Sequence, residues 1–484
     1  MIPTGNEHAV FLPSMNDGFA KFISKESLSA LRQRGTMPNW LNNIGELNPF
    51  DADNGEFFYP FFLFSAGHGI WDEAKSRKTF RALYDRPSFA RIVADSGAFQ
   101  IATNSGVFKD FDWSERGDKT RDMIRRNLEW QEGIADWATI LDIPLYALDP
   151  GKKNPGHPYF GTGYTTQNID KCFQQQMFNV DEQFKRKQPS TKLIVILQGT
   201  DEETVLKYYG AMKDYPHAGW GFGGGMSKRI DLLLYILAQM IDDGQLAKGE
   251  KILHFFKVGT GHHAVLFSHI QKLLRHHVNP NITITFDASN AFSGMTNWTM
   301  FTGHEQLHDE NLFRMVSVNA GKGMPPYNAR VPAESPIMGY GKEGVCWDDL
   351  RPGDYLAQCM VMAQNIWAMT EAMKDANLRA DRAGAIHQAR FREHLLSALD
   401  EAEGVYRHTV KDDVRNLGRL IKLAEGIQDS EHLVGLKRKD YLDHVAKAAQ
   451  LFSTCIALGP RNRSRELARY SANELEVIFY PFRE

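Results

Sequence analysis

The run ITITFDASN, residues 282–290, constrains the fold of this 484-residue chain more than any other stretch: β-branched residues alternate along it, and it ends on a carboxylate, Asp287, among small residues. Four more runs finish in the same way: RIVADSGAFQ (91–100), ADWATILDIP (135–144), TKLIVILQGT (191–200) and LHFFKVGTGHH (253–263). Each passes from apolar β-formers into Asp, Gln or Gly at a turn. Stretches such as TRDMIRRNLEWQEGI and RIDLLLYILAQMIDD lie between them, with apolar residues recurring at helical spacing. Strand alternating with helix predicts an α/β fold with a mostly parallel sheet. A (β/α)8 TIM barrel takes roughly 250 residues, which leaves room for further structure. In such a barrel the strand C-termini share one rim, so five segments would bring polar groups to one site.

The expected organisation is an irregular N-terminal arm with short helices over residues 1–55, a barrel over 56–355 and a helical C-terminal domain over 356–484. The barrel would open on the apolar EFFYPFFLFSAG and close on FRMVSVNAG, residues 313–321, ahead of a Pro- and Gly-rich insert over 322–352.

Charge and cysteine content narrow the function classes. A net charge of −3 and a pI near 6.6 exclude the strongly basic body of a protein that coats nucleic acid, but leave room for a local basic groove. One basic excess lies over 151–192, from Lys152 and Lys153 to Lys192, and another in RNRSRELAR, with Arg461, Arg463, Arg465 and Arg469. Either reads equally as solvated surface. Cys172, Cys346, Cys359 and Cys455 are few and far apart, which fits a reducing compartment. No run approaches the ~20 apolar residues of a membrane span. The opening MIPTGNEHAVFLPSMNDG lacks a basic and then apolar leader, so a cytoplasmic location without membrane association is expected.

Taken as chemistry, Asp95 and Asp287 at two strand tips suit a division between general acid/base and nucleophile, as in retaining glycosyl transfer. Asp142 and Gln198 offer the acceptors and donors that read the edge of a heterocyclic base. The glycine-rich GWGFGGG (219–225) would leave backbone groups open to a flat ligand. The bland alternative is that strand-end aspartates cap the helices that follow.

Together these segments resemble the tRNA-guanine transglycosylases. DSGAFQ is similar to their DSGGFQ signature, with Ala98 in place of the second glycine. LDIP resembles the base-recognition segment of the archaeal type, LQG the VQGG segment, GFGGG the IGG segment, VGTGHH the FGAGH segment and FDAS the nucleophile segment FDSA. Order and spacing agree over residues 90–290, somewhat under half the chain. The resemblance implies that Asp287 attacks C1′ of a nucleotide, expels guanine and holds the sugar as an ester, while Asp95 manages the proton of the leaving and entering bases. It implies that Asp142, Gln198 and the backbone of Gly223 and Gly224 read the base edge, with Ser96 on the substrate side. Phe99 and Val258 would then sandwich the base, and Gly259 would let the chain pass close to it.

The family's CxCxxC-plus-His zinc site has no counterpart here. Only GVCWDDL, with Cys346, stands in its place, and WAMTEAM lies where the His would be. One thiolate cannot make a structural zinc site, so no metal and no cofactor are expected. Zinc loss with a helical extension resembles the DNA-modifying branch, the DpdA type of DNA-guanine transglycosylase and its phage forms in particular. That branch implies guanine sites in DNA and a free 7-deazaguanine such as preQ0 as partners, in the host cytoplasm for a viral protein. Exchange on tRNA, with an eroded zinc site, is the nearest rival. A non-catalytic nucleic-acid-binding subunit and a barrel hydrolase of sugars are the others, and the oligomeric state stays open.

Other signals carry less. HEQLH, His304 to His308, fits the HExxH zincin pattern but lacks the apolar stripe of a zincin helix. The G-x-G-x-x-G match at Gly219, Gly221 and Gly224 follows no strong strand, and the Met and aromatic stripe of QCMVMAQNIWAM reads as core.

Overall fold

The computed structural model describes residues 7–400, apart from 26–36, 104–105, 109–115, 152–160, 224–225, 227–229, 295–297, 308–311, 320–327, 332, 334, 340–343 and 352. Eight parallel strands close a barrel in chain order. They are β1 (Val10–Met15), β2 (Phe61–Ser65), β3 (Arg91–Asp95), β4 (Trp137–Thr139), β5 (Leu193–Leu197), β6 (Gly219–Phe222), β7 (Lys251–Phe255) and β8 (Ile282–Ala288). Helices Asp118–Ile134, Thr166–Arg186, Glu202–Met212, Ile230–Asp242 and Gly261–His277 follow β3, β4, β5, β6 and β7 in turn, so the molecule is a (β/α)8 TIM barrel. Among the described residues, no helix is long and apolar enough to cross a membrane.

Two barrel strands lie where the sequence pattern pointed elsewhere. β1 comes from the stretch expected to be an arm. It pairs with β8 from Val10 to Pro13 and with β2 only at Ser14 and Met15. Pro13 has no N–H to give a ladder, which lowers the strand signal, and a strand buried on both faces shows no alternation. β6 is made of GWGF, from the glycine-rich stretch whose backbone was expected to stay open to a flat ligand. A Cβ on Gly219 would lie 2.0 Å from the Ile252 carbonyl, and one on Gly221 2.5 Å from Ile196 Cδ1, so these glycines answer close packing inside the barrel. Conversely, the expected last strand FRMVSVNAG forms β10 (Leu312–Asn319), which pairs antiparallel with β9 (Thr299–Leu307) outside the barrel, because β1 already closes it.

The layer between strands and helices is aromatic. Phe222, Phe255 and Phe267 stack in series, with centroids 4.6 and 4.2 Å apart and ring planes within 7° and 11°. Each such pair adds about 0.5–1.5 kcal/mol beyond burial. The helix Tyr355–Asp400 starts against this body: Leu356, Met360, Ile366 and Met369 join the barrel's apolar cluster. Buried Asn365 ties it to the segment after β8, donating to the carbonyls of Ala291 (3.1 Å) and Thr299 (3.0 Å) and accepting from the Phe301 N–H (2.7 Å). Residues 401–484, including RNRSRELAR, lie outside the described residues.

Candidate functional site

The strand tips deliver the expected side chains to one rim. Asp95 is the last residue of β3, Gln198 and Gly223 directly follow β5 and β6, Asp142 lies three residues past β4, and Asp287 is the penultimate residue of β8. With Phe99, Val258 and Gly259 they line a cleft of about 1040 Å³. Helix capping does not account for them. The caps at Thr165, Asp201 and Thr260 accept from Asn168, Thr204 and His263, leaving Asp142, Gln198 and Asp287 for the cleft.

Register builds the Asp95 end of the cleft. Ser65 of β2 lies opposite Asp95 of β3, and its hydroxyl donates to Asp95 Oδ2 at 2.8 Å. The Gly97 N–H reaches the same oxygen at 3.1 Å from a left-handed turn (φ 84°). A Cβ there would lie 2.7 Å from Gly67 N, so glycine is required on both counts. Burial pushes the Asp95 carboxyl above the usual carboxylate range, the two hydrogen bonds pull it back, and the charge of Asp287 adds to the rise.

Asp142 and Gln198 form the second unit. Gln198 Nε2 donates to Asp142 Oδ2 at 2.7 Å, the Ser96 hydroxyl makes a long contact, 3.4 Å, with Oδ1, and the backbone N–H of Asp142 also hydrogen-bonds its own carboxylate. Burial, then the charge of Asp95, pushes the Asp142 carboxyl up to about 7. Ser96, expected on the substrate side, is fully buried; its N–H donates to Thr139 Oγ1 and it supports Asp142 rather than lining the cleft. A Cβ on Gly223 would lie 2.6 Å from Gln198 Oε1, so this glycine makes room for the amide that engages Asp142. Gly224 lies outside the described residues.

At the β8 tip, Asp287 Oδ1 accepts the Lys257 backbone N–H at 3.0 Å, and His254 Nε2 lies 3.5 Å from the same oxygen. A Cβ on Gly259 would lie 2.3 Å from that of Ala288, so Gly259 lets the loop after β7 pack on the segment that carries Asp287.

Three contributors were missing from the sequence reading. Tyr146 stacks on the exposed Phe99 with centroids 6.3 Å apart, and its buried hydroxyl has no hydrogen-bond partner among the described residues. The Lys257 ammonium lies over both rings, 4.5 Å from Phe99 and 4.3 Å from Tyr146. Lys257 adopts a left-handed backbone (φ 61°), uncommon for a side-chain-bearing residue. His254 is the third. Its only sequence signal is a lone polar residue within the apolar LHFF.

The remaining signals resolve differently. His304 lies in β9 rather than on a helix, so it lacks zincin geometry, and His308 lies outside the described residues. Cys346 caps the 3-10 helix Trp347–Leu350. Gly219 and Gly221 of the G-x-G-x-x-G match are inside β6. In the basic stretch 151–192, Arg186 and Lys185 pair with Glu182 and Lys192 with Glu250, as on ordinary solvated surface, and Lys152 and Lys153 lie outside the described residues.

Comparison with protein-family models gives no match for this chain, and comparison with curated proteins gives none either.

Proposed function

We propose that this cleft exchanges a nucleic-acid base through a covalent aspartyl-glycosyl intermediate, replacing guanine in DNA with a 7-deazaguanine of the preQ0 kind. The observation that carries the reading is the convergence of Asp95, Asp287 and the Asp142–Gln198 pair in one cleft. Asp287 bonds to C1′ as the C1′–N9 bond breaks, and the neutral Asp95 protonates the departing base. The incoming base then gives its N9 proton to Asp95 and displaces the carboxylate. Burial raises the Asp95 carboxyl, the direction that a proton donor in the first step requires.

Base reading falls to Asp142 and Gln198. Asp142 Oδ1, whose contact with the Ser96 hydroxyl is long, is the acceptor offered to N–H groups of a purine-like edge. Phe99 and Tyr146 supply aromatic faces for stacking. Extruding a paired base costs a few kcal/mol, which stacking and edge hydrogen bonds offset. The choice of DNA over tRNA rests on the missing zinc ligands around Cys346.

The test incubates the full chain and labelled guanine or preQ0 with duplex DNA, single-stranded DNA and tRNA in parallel. Label entering DNA supports the reading, and label entering only tRNA moves the activity to the tRNA enzymes. Asp287→Ala is expected to abolish incorporation and any denaturation-resistant adduct. Full incorporation by that variant would remove the mechanism.

A further inference from the structure

Beneath Asp287 lies a histidine for which the mechanism above has no role. Register pairs His254 of β7 with Thr285 of β8, and Asp287 follows two residues later, so Thr285 and Asp287 project from the same face. His254 is fully buried (0% exposed), with Phe256 edge-on at 4.3 Å. Its Nδ1 lies 2.8 Å from Thr285 Oγ1. Among the described residues its Nε2 has no partner within hydrogen-bond distance, and it lies 3.5 Å from Asp287 Oδ1. A neutral imidazole has one donor and one acceptor nitrogen. The carboxylate beside Nε2 favours the tautomer that places the ring proton there and leaves Nδ1 to accept the Thr285 hydroxyl.

Resting on the transglycosylase reading, we infer that His254 is a positioning residue that divides the two oxygens of Asp287 between tasks. Oδ1 is held by the Lys257 N–H and by His254 Nε2–H, and Oδ2 is the atom that bonds to C1′. In the first step an Oδ2 lone pair forms the bond to C1′, the C1′–N9 pair leaves with the base, and Asp95 protonates the base. Oδ1 then becomes the ester carbonyl oxygen and keeps both donors. In the second step N9 of the incoming base bonds to C1′, its proton passes to Asp95, and the Oδ2–C1′ pair returns to the carboxylate. Charge regrows on Asp287 in that second step, so a donor on Oδ1 favours release of the sugar. Donor contacts that are long in an unliganded site shorten as such charge develops. The same donor gives nothing to the first step, where charge leaves the carboxylate.

The experiment follows the adduct in full-length wild type, His254→Phe and His254→Gln, using labelled guanine-containing duplex DNA and tRNA in parallel and then a chase with free guanine. Wild type is expected to form an adduct that the chase consumes. In His254→Phe adduct formation is expected to persist while the chase slows about tenfold, equivalent to about 1.4 kcal/mol. His254→Gln, which restores an N–H near the same place, is expected to recover most of the rate. A structural role alone would slow both phases together. Thr285→Val, which removes the Nδ1 partner and leaves His254 intact, is expected to slow the chase selectively and replaces the Phe variant where that variant has no melting transition. No adduct in wild type would overturn the transglycosylase reading itself. An adduct in every protein with an unchanged chase in the folded variants would overturn only the role of His254.

Discussion

Gln198 donates to Asp142 at 2.7 Å from a position that exists only because residue 223 has no side chain. A Cβ on Gly223 would lie 2.6–2.8 Å from all three heavy atoms at the end of Gln198. Gly223→Ala is therefore expected to keep the barrel, within about 1 kcal/mol, because a flexible side chain can swing aside. The displaced amide leaves Asp142, and binding of free guanine is expected to weaken about tenfold or more. Calorimetry alongside thermal melting checks both, and unchanged affinity would show that the Gln198–Asp142 bond has no part in recognition.

Asp142 makes stability depend on pH in a definite direction. Its carboxyl stands at about 7 in the fold against 3.8 as its ordinary value. The contribution of the neutral form is fully present below 3.8 and is lost as pH rises through about 7. Asp142→Asn, always neutral, is expected to melt higher than wild type at pH 8, by up to about 4 kcal/mol in stability, and to lose that advantage at pH 4. Guanine affinity of the wild type should fall as pH drops below about 7, because a protonated Asp142 has one acceptor fewer. Melts of both proteins across that range test the sign.

Asp95→Asn removes the carboxyl proposed to carry the proton and keeps a side chain of the same shape. Exchange is expected to fall by about 10²–10⁴, the usual contribution of a general acid or base, while guanine still binds. Rates measured beside binding separate the two, and wild-type exchange would assign the proton to another group.

Lys257 separates backbone strain from side-chain contacts. Its left-handed backbone costs about 1 kcal/mol for an L-residue, and its ammonium over two rings contributes about 0.5–1 kcal/mol per ring. Lys257→Gly loses the contacts and relieves the strain, whereas Lys257→Ala loses the contacts and keeps the strain. The glycine variant is expected to be the more stable by about 1 kcal/mol in urea melts. Equal stabilities would mean the strain is absorbed elsewhere.

The rim of the site was legible because five strands run from apolar residues into a single polar tip, and each tip residue, from Asp95 to Asp287, stands on the cleft. Two strands were not. Pro13 interrupts β1, and Gly219 and Gly221 give β6 the look of a loop, although tight packing explains both glycines. His254 escaped because a lone polar residue in LHFF gives no hint of the cross-strand partner that register supplies. Lys257 and Tyr146 escaped because no local pattern marks a left-handed lysine or says which rings it will cover. Ser96 was assigned to the substrate because sequence proximity to Asp95 does not distinguish the cleft side of a turn from its buried side.

Closure of the barrel sets Leu12 beside Asp287, so the first described strand flanks the strand that carries this carboxylate. A growing polypeptide cannot seat that carboxylate until synthesis has passed residue 288, and β1 must wait unpaired along one edge for most of translation. Such a distant pairing slows folding and exposes an unsatisfied strand meanwhile. Deleting the first twelve residues should therefore release β8 and disorder the cleft, even though Asp95, Asp142, Gln198 and Asp287 all remain in the chain.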